Sequence, residues 1–269
     1  MVNIELDEFE QTWRESAMSA VAPSELLLVT DFDGTLAEIG PDPAQSAALP
    51  EALSALRRLA ALLKEVVILS SRTHPDLSRL VPVRGVRLVA DSGLGVPSHS
   101  ARAALQRFNI EAARILSDIP GVWLEVKPAS TTIHLRHSPA APAEVLDRLR
   151  PLLEAGSLSG AIGRKVIEVH SPGAGKGKAL AGLLEEITPG GLVALGDDEN
   201  DRSVFELGTT LTIPHLCVGV SSAEVAPDLF EHCDLVVPGP HEAVAFLHRI
   251  VDWVSDEAGR RPELAQPLN

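Results

Sequence analysis

Cysteine is scarce. Only Cys217 and Cys233 occur in 269 residues, and neither belongs to a C-x-x-C pair or lies near a histidine at metal-ligand spacing, so both are expected to be reduced core thiols. Long apolar runs are missing too: no stretch approaches the ~18 residues needed to cross a bilayer. The opening Met1-Val2-Asn3-Ile4-Glu5-Leu6-Asp7-Glu8-Phe9-Glu10 is acidic where a secretory signal needs positive charge. A soluble, cytoplasmic protein with no membrane partner is expected. Positive charge is the third shortage, with 23 Lys and Arg against 37 Asp and Glu and a formal charge of −14. No basic block or basic-aromatic stripe relieves it, which argues against nucleic acid as a partner. A small anionic ligand would need a local cation and a few placed basic groups.

What is present is an ordinary globular chain, 45% hydrophobic and long enough for one large domain or a core with a second, smaller one. Leu26-Leu27-Leu28-Val29 reads as a fully buried strand, and Val66-Val67-Ile68-Leu69 as another. Between them, Leu53, Leu56, Leu59, Ala60 and Leu63 recur at helical spacing, which makes a βαβ unit. A helix near Pro75 to Leu80 precedes the strand Arg87 to Ala90, and a helix from Lys178 to Glu186 precedes the strand Leu192 to Leu195. Cys217 to Val220 and Leu235 to Val237 complete the series. The expected fold class is α/β, a Rossmann-like, doubly wound parallel sheet with ligands at the carboxyl ends of its strands.

Residues 96–171 follow a different pattern. A helix over Ser100 to Leu116 leads to alternating strands at Val122 to Lys127 and Thr131 to Arg136, then a helix from Ala143 to Leu153 and a strand from Val166 to Val169. An inserted α+β cap domain over 96–171 is expected, with the core made of 1–95 and 172–269 and a frayed tail from Asp256. No internal repeat is apparent.

Acidic residues gather where the parallel strands end. Asp31 and Asp33 follow the first strand, and Gly34 lets the chain turn so that the two carboxylates converge. Gly196-Asp197-Asp198-Glu199-Asn200-Asp201 follows the strand Leu192 to Leu195 and so belongs to the same sheet edge. Carboxylates brought from separate loops suit Mg²⁺, a hard cation that takes oxygen ligands, and neither cluster has the spacing of an EF-hand. Ser70, past the second strand, and Lys176, in Gly173-Ala174-Gly175-Lys176-Gly177, suit phosphate oxygens and charge neutralisation. Taken singly, Ser70 equally suits a helix cap and Lys176 a surface lysine in a glycine-rich loop. The loop lacks Walker spacing, and His241-Glu242 lacks the second histidine of a zinc helix because Ala245 stands there.

These four elements, in this order, resemble the haloacid dehalogenase superfamily of phosphohydrolases. The resemblance implies that Asp31 attacks phosphorus, that Asp33 protonates the leaving oxygen and later activates water, and that Mg²⁺ bridges carboxylate and phosphate. Asp31, Asp33, Asp197, Asp198 and Asp201 are the implied metal group, with Ser70 and Lys176 beside them. The insert, falling between the Ser70 and Lys176 elements, resembles the larger C2-type caps of that superfamily. Along nearly the whole chain the pattern is similar to trehalose-6-phosphate phosphatases: Glu125-Val126-Lys127, His134-Leu135-Arg136, then Glu168 ahead of Gly175-Lys176-Gly177. The implied substrate is a small sugar phosphate, hydrolysed by a monomer, with Glu125, Lys127 and Glu168 bonding sugar hydroxyls and Arg72, His134 and Arg136 nearby.

Strand alternation gives Glu125 and Lys127 a common face, and likewise His134 and Arg136. The same charges also suit a solvated sheet face carrying cross-strand ion pairs, and His134 equally suits a packed, hydrogen-bonded histidine. Three stretches depart from the family pattern. Ser70-Ser71-Arg72 stands for Ser-Gly-Arg, Ala90-Asp91-Ser92-Gly93 for Gly-Asn-His-Gly, and Asn200 and Arg202 for a threonine and a glutamate. None removes a reacting group, and all bear on which sugar is accepted: trehalose 6-phosphate, or another glycosyl or pseudo-disaccharide phosphate. A non-catalytic binding module and a phosphomutase are the readings from other classes.

Overall fold

The structure is a computed structural model that describes residues 6–260 apart from 41, 96, 173 and 174. The acidic opening residues 1–5, Gly173 and Ala174 of the glycine-rich loop, and the tail beyond Arg260 lie outside the described residues. In chain order the elements are α1 (Leu6–Glu15), β1 (Leu26–Thr30), α2 (Pro50–Leu62), β2 (Glu65–Leu69), α3 (His74–Leu80), β3 (Val86–Val89), α4 (His99–Ile115), β4 (Trp123–Val126) and β5 (Ser130–His134). There follow α5 (Pro142–Gly156), β6 (Ser159–Gly163), β7 (Val166–His170), α6 (Lys176–Ile187), β8 (Gly191–Gly196), α7 (Arg202–Gly208), β9 (His215–Ser221), β10 (Leu235–Pro238) and α8 (Gly239–Arg260).

Six strands form a parallel sheet in the order β10-β9-β8-β1-β2-β3. β1 is apolar along its length because both of its faces are covered. Leu26 and Leu28 join Trp13, Leu56, Leu77 and Ile250 from α1, α2, α3 and α8. Leu27 and Val29 point the other way, toward Leu180 and Phe205 on α6 and α7. Each such side chain stabilises the fold by about 1.5–3 kcal/mol. The chain runs outward from β1 to β3 and later returns on β1's other side as β8, so the strand order reverses between β1 and β8. That crevice, at the carboxyl ends, is where a sheet of this kind receives ligands.

A second, antiparallel sheet has the order β4-β5-β7-β6. Ile133 and Ile167 face α4 and α5, where they meet Phe108, Val145 and Leu149. The opposite face carries Glu125 opposite Thr132, and Thr132 opposite Glu168, in one row across three strands.

Several elements differ from the sequence reading. β6 is an added strand, Ser159-Gly160-Ala161-Ile162-Gly163, poor in the β-branched and aromatic residues that mark strands. Gly160 packs closely under α5: a Cβ there would come within 2.8 Å of the Leu146 side chain. β5 stops at His134, so Leu135 and Arg136 leave the sheet. The helix α8 runs on to Arg260, past the Asp256 where fraying was expected. α1 and α7 were also not anticipated.

Candidate active site

Asp31 is the first residue past β1 and Asp197 the first past β8, and the pairing of Thr30 with Leu195 sets these two strand ends side by side. Close approach depends on Gly34, whose φ is +81° and whose added Cβ would stand 2.0 Å from Asp197 Oδ2. Lys176 opens α6 behind Gly175 at φ +129°, and its ammonium lies 2.9 Å from both Asp31 Oδ1 and Asp201 Oδ1. Only 1% of Lys176 is exposed, so it is no surface lysine. Asp201 Oδ2 in turn accepts from the backbone N–H of Asp197 and Asp198, which ties the acidic loop to the lysine.

The charges do not balance. Asp31, Asp197 and Asp201 present carboxylate oxygens within 4.8 Å of one another, all buried, around one ammonium. Burial pushes the Asp31 carboxyl up to about 7 against the pull of Lys176. Burial and the charges of Asp31 and Asp201 also raise Asp197, and burial raises Asp198. Burial opposes the charge on Lys176, yet Asp201 and Asp31 outweigh it and keep the ammonium protonated. Asp197 Oδ2 is buried with no hydrogen bond, although the Arg164 guanidinium lies 3.4 Å away. An all-oxygen donor set with surplus negative charge and an unbonded carboxylate oxygen fits a hard divalent cation.

The other acidic residues are engaged elsewhere. Both oxygens of Asp33 are held by Arg72, at 2.6 and 2.8 Å, and Oδ1 also accepts from Ser46 at 3.1 Å. Asp198 accepts from the backbone N–H of Arg164 and Glu199. Neither belongs to the three-carboxylate group. Ser70 is buried at the end of β2. Its loop is braced by backbone bonds from Ser92 N to Ser70 O and from Asp91 N to Arg72 O, both 2.8 Å. Asp91 and Ser92 adopt φ of 50° and 54° to reach it.

Above this edge lies the polar face of the smaller sheet. A single cleft is lined by Asp31, Asp33, Arg72 and Asp197 from below and by Glu125, Lys127, Thr132, His134, Arg136 and Glu168 from above. Thr132, His134 and Glu168 are buried, which rules out an open solvated face. Cross-strand hydrogen bonding is nevertheless present on the face: His134 Nε2 donates to Glu125 Oε2 at 2.9 Å, and that bond, with Lys127, holds the Glu125 carboxyl below its usual range. Lys127 reaches down to Ser71 O at 3.0 Å. Arg136 lies at the rim, 3.9 Å from Glu224.

Sequence reasoning overlooked Arg164. It occupies the two-residue turn between β6 and β7, and its guanidinium meets Asp197, Ser222 and Glu224 across the cleft floor. Gly163 before it leaves room for Asp198, since a Cβ there would come within 2.6 Å of Asp198 Oδ2. A glycine flanking a basic turn was the available signal.

A reversed-order parallel sheet with an aspartate past its first strand, a buried lysine, a second acidic loop and an antiparallel sheet facing them defines the haloacid dehalogenase fold. The C-terminal domain of a trehalose-6-phosphate phosphatase from C. albicans superposes with a TM-score of 0.72 at 18% identity, covering 91% of this chain and 96% of that one. The chain belongs to the trehalose-phosphatase family, whose sequence profile matches residues 29–228. A bifunctional trehalose-6-phosphate synthase/phosphatase of Thermoproteus tenax is 33% identical over 199 residues, 67% of this chain and 27% of that protein. A trehalose-phosphate phosphatase of Mycobacterium tuberculosis is 30% identical over 207 residues, 69% of this chain and 53% of that protein. The chain thus spans about half the length of the mycobacterial relative, and less of the other.

Proposed function

We propose that the protein hydrolyses trehalose 6-phosphate to trehalose and phosphate with Mg²⁺ as cofactor. The observation that carries this reading is the Asp31 carboxylate held 2.9 Å from a buried lysine, beneath a roof of polar side chains suited to sugar hydroxyls. Family membership supports the substrate.

In this mechanism the Asp31 oxygen not held by Lys176 attacks phosphorus in line, the bond to the sugar oxygen breaks, and an aspartyl phosphate forms. Asp33 gives its proton to the departing sugar oxygen, then takes one from the water that attacks the aspartyl phosphate, restoring Asp31 and releasing phosphate. Lys176 and the Ser70 hydroxyl neutralise and orient phosphoryl oxygens. Asp31, Asp197 and Asp201 would hold the metal ion, with Asp33 and Asp198 beside them, and it supplies charge neutralisation for phosphoryl transfer. Residues 96–171 act as a cap: Glu125, Lys127 and Glu168 bond sugar hydroxyls and close the cleft to bulk water. When Asp33 carries the proton, Arg72 gives up one of its two bonds and keeps the carboxyl oriented through the other.

One observation favours a neighbouring reading, another glycosyl or pseudo-disaccharide phosphate. The departures Ser71 and Asn200 both line the cleft, and the Asn200 Oδ1 is buried without a hydrogen bond, free to accept from a ligand. The test is phosphate release from a panel of sugar phosphates, with Mg²⁺ and with a chelator. Preference for trehalose 6-phosphate that disappears with chelation is expected. Preference for another disaccharide phosphate would shift the substrate, and no release from any sugar would leave a binding module.

A further inference from the structure

Trp123 is an aromatic residue with no assigned role on the rim of the cleft. It is 44% exposed, an unusual position for a side chain of that size, yet it is fixed. Its indole stacks on the His134 ring at 3.8 Å between centroids and 5° between planes. The His134 ring is pinned in turn by its 2.9 Å bond to Glu125. An aromatic face held rigid from behind and open in front loses little entropy on meeting a ligand.

Its place along β4 gives it a distance from the chemistry. Lys127 is anchored at the reacting end, donating to the carbonyl of Ser71 beside Ser70. Glu125 comes next on the same face and Trp123 beyond it, so that β4 and the residue after it serve as a ruler with marks about 6.6 Å apart. Trp123 stands roughly 13 Å from the anchored lysine. Asp31, Lys127, Glu125 and Trp123 line one cleft, and on this spacing a phosphorylated monosaccharide held at the Lys127 end would lie beside Lys127 and Glu125, whereas a second ring would reach the indole. The apolar C–H face of a pyranose complements such a surface, leaving its hydroxyls for the polar groups.

We infer that Trp123 is a specificity-determining residue that stacks against the distal sugar ring of a disaccharide phosphate. The inference rests on the phosphatase reading above and adds a length requirement to it: the enzyme measures two rings from the phosphate.

The experiment compares kcat/KM for trehalose 6-phosphate and glucose 6-phosphate in wild-type protein, Trp123→Ala and Trp123→Phe. The alanine variant should lower the ratio of the two values about ten-fold, through KM, while phenylalanine, which keeps a stacking face, preserves most of it. An unchanged ratio in Trp123→Ala, with active wild type, overturns the inference and leaves the phosphatase reading standing. Wild type inactive on both sugars sinks that reading instead. A second arm is independent of turnover, because Trp13 is buried and packs against Trp253 at 4.7 Å within the core. Trehalose titration should therefore change the emission of wild-type protein and leave Trp123→Phe silent. No change at saturating trehalose overturns the platform.

Discussion

Arg72 grips both carboxylate oxygens of Asp33, Nε to Oδ2 at 2.6 Å and Nη2 to Oδ1 at 2.8 Å. The guanidinium is itself supported, lying over the Phe32 ring at 5.6 Å and donating to Pro43 O. In the proposed mechanism this pair aims the proton donor. Arg72→Lys keeps the charge but cannot form two parallel bonds, so kcat for trehalose 6-phosphate should fall about ten-fold with a smaller change in KM. Wild-type kcat in that variant would show that Asp33 is aimed by something else.

Asp31→Asn preserves shape and removes the nucleophilic charge. Phosphate release should fall by at least about 10³-fold, with the circular dichroism spectrum of wild type. Measurable turnover near the wild-type rate would eliminate attack by this residue.

Stability should depend on pH in an uncommon direction when metal is removed. Asp31 titrates at 3.8 when unperturbed and is lifted by burial to about 7, so between those values the folded chain holds a proton that the unfolded chain has released. The metal-free protein therefore loses stability as pH rises through this window. Asp197 shifts in the same direction, while Lys176 is protonated in both states there and adds no slope. Thermal melting in chelator should show Tm falling from about pH 4 to about pH 7, and Mg²⁺ should offset the fall increasingly at the upper end. A Tm in chelator that is flat or rising would contradict the buried acidic cluster.

The glycine that admits Asp197 is a separate lever. Gly34→Ala forces a side chain into positive φ and into the Asp197 carboxylate, so stability should drop by more than about 1 kcal/mol. Calorimetric Mg²⁺ affinity should fall in the same variant as Asp197 is displaced. Unchanged affinity would remove Asp197 from the metal site.

Glu168 lies in the roof row with Thr132 and Glu125, away from the reacting atoms. Glu168→Ala should raise KM for trehalose 6-phosphate about ten-fold while costing much less on p-nitrophenyl phosphate, which has no sugar. Equal losses on both would assign Glu168 a structural part.

The parallel sheet was legible because strands covered on both faces must be apolar throughout, as Leu26 to Val29 is, and because carboxylates after such strands are conspicuous. Asp31, Lys176 and Asp197 could be grouped from their order along the chain. Their partners could not. The bonds of Arg72 to Asp33 and of the Arg164 backbone to Asp198, and the approach of the Arg164 guanidinium to Asp197, join distant turns, and no local periodicity encodes them. β6 was hidden by glycines whose close neighbours, Leu146 on α5 and Asp198 in the acidic loop, are brought there by tertiary packing. Trp123 fits either face of an alternating strand on composition alone. Register with His134 decides which.

The position of β1 between β2 and β8 bears on how the protein is made. β2 follows β1 after the single helix α2, but β8, Lys176 and the second acidic loop are synthesised only after the whole of α4 to β7. A ribosome paused within that stretch carries a central strand with one edge unpaired and an Asp31 with no ammonium beside it. The open edge of that strand is the surface most in need of shielding until β8 docks.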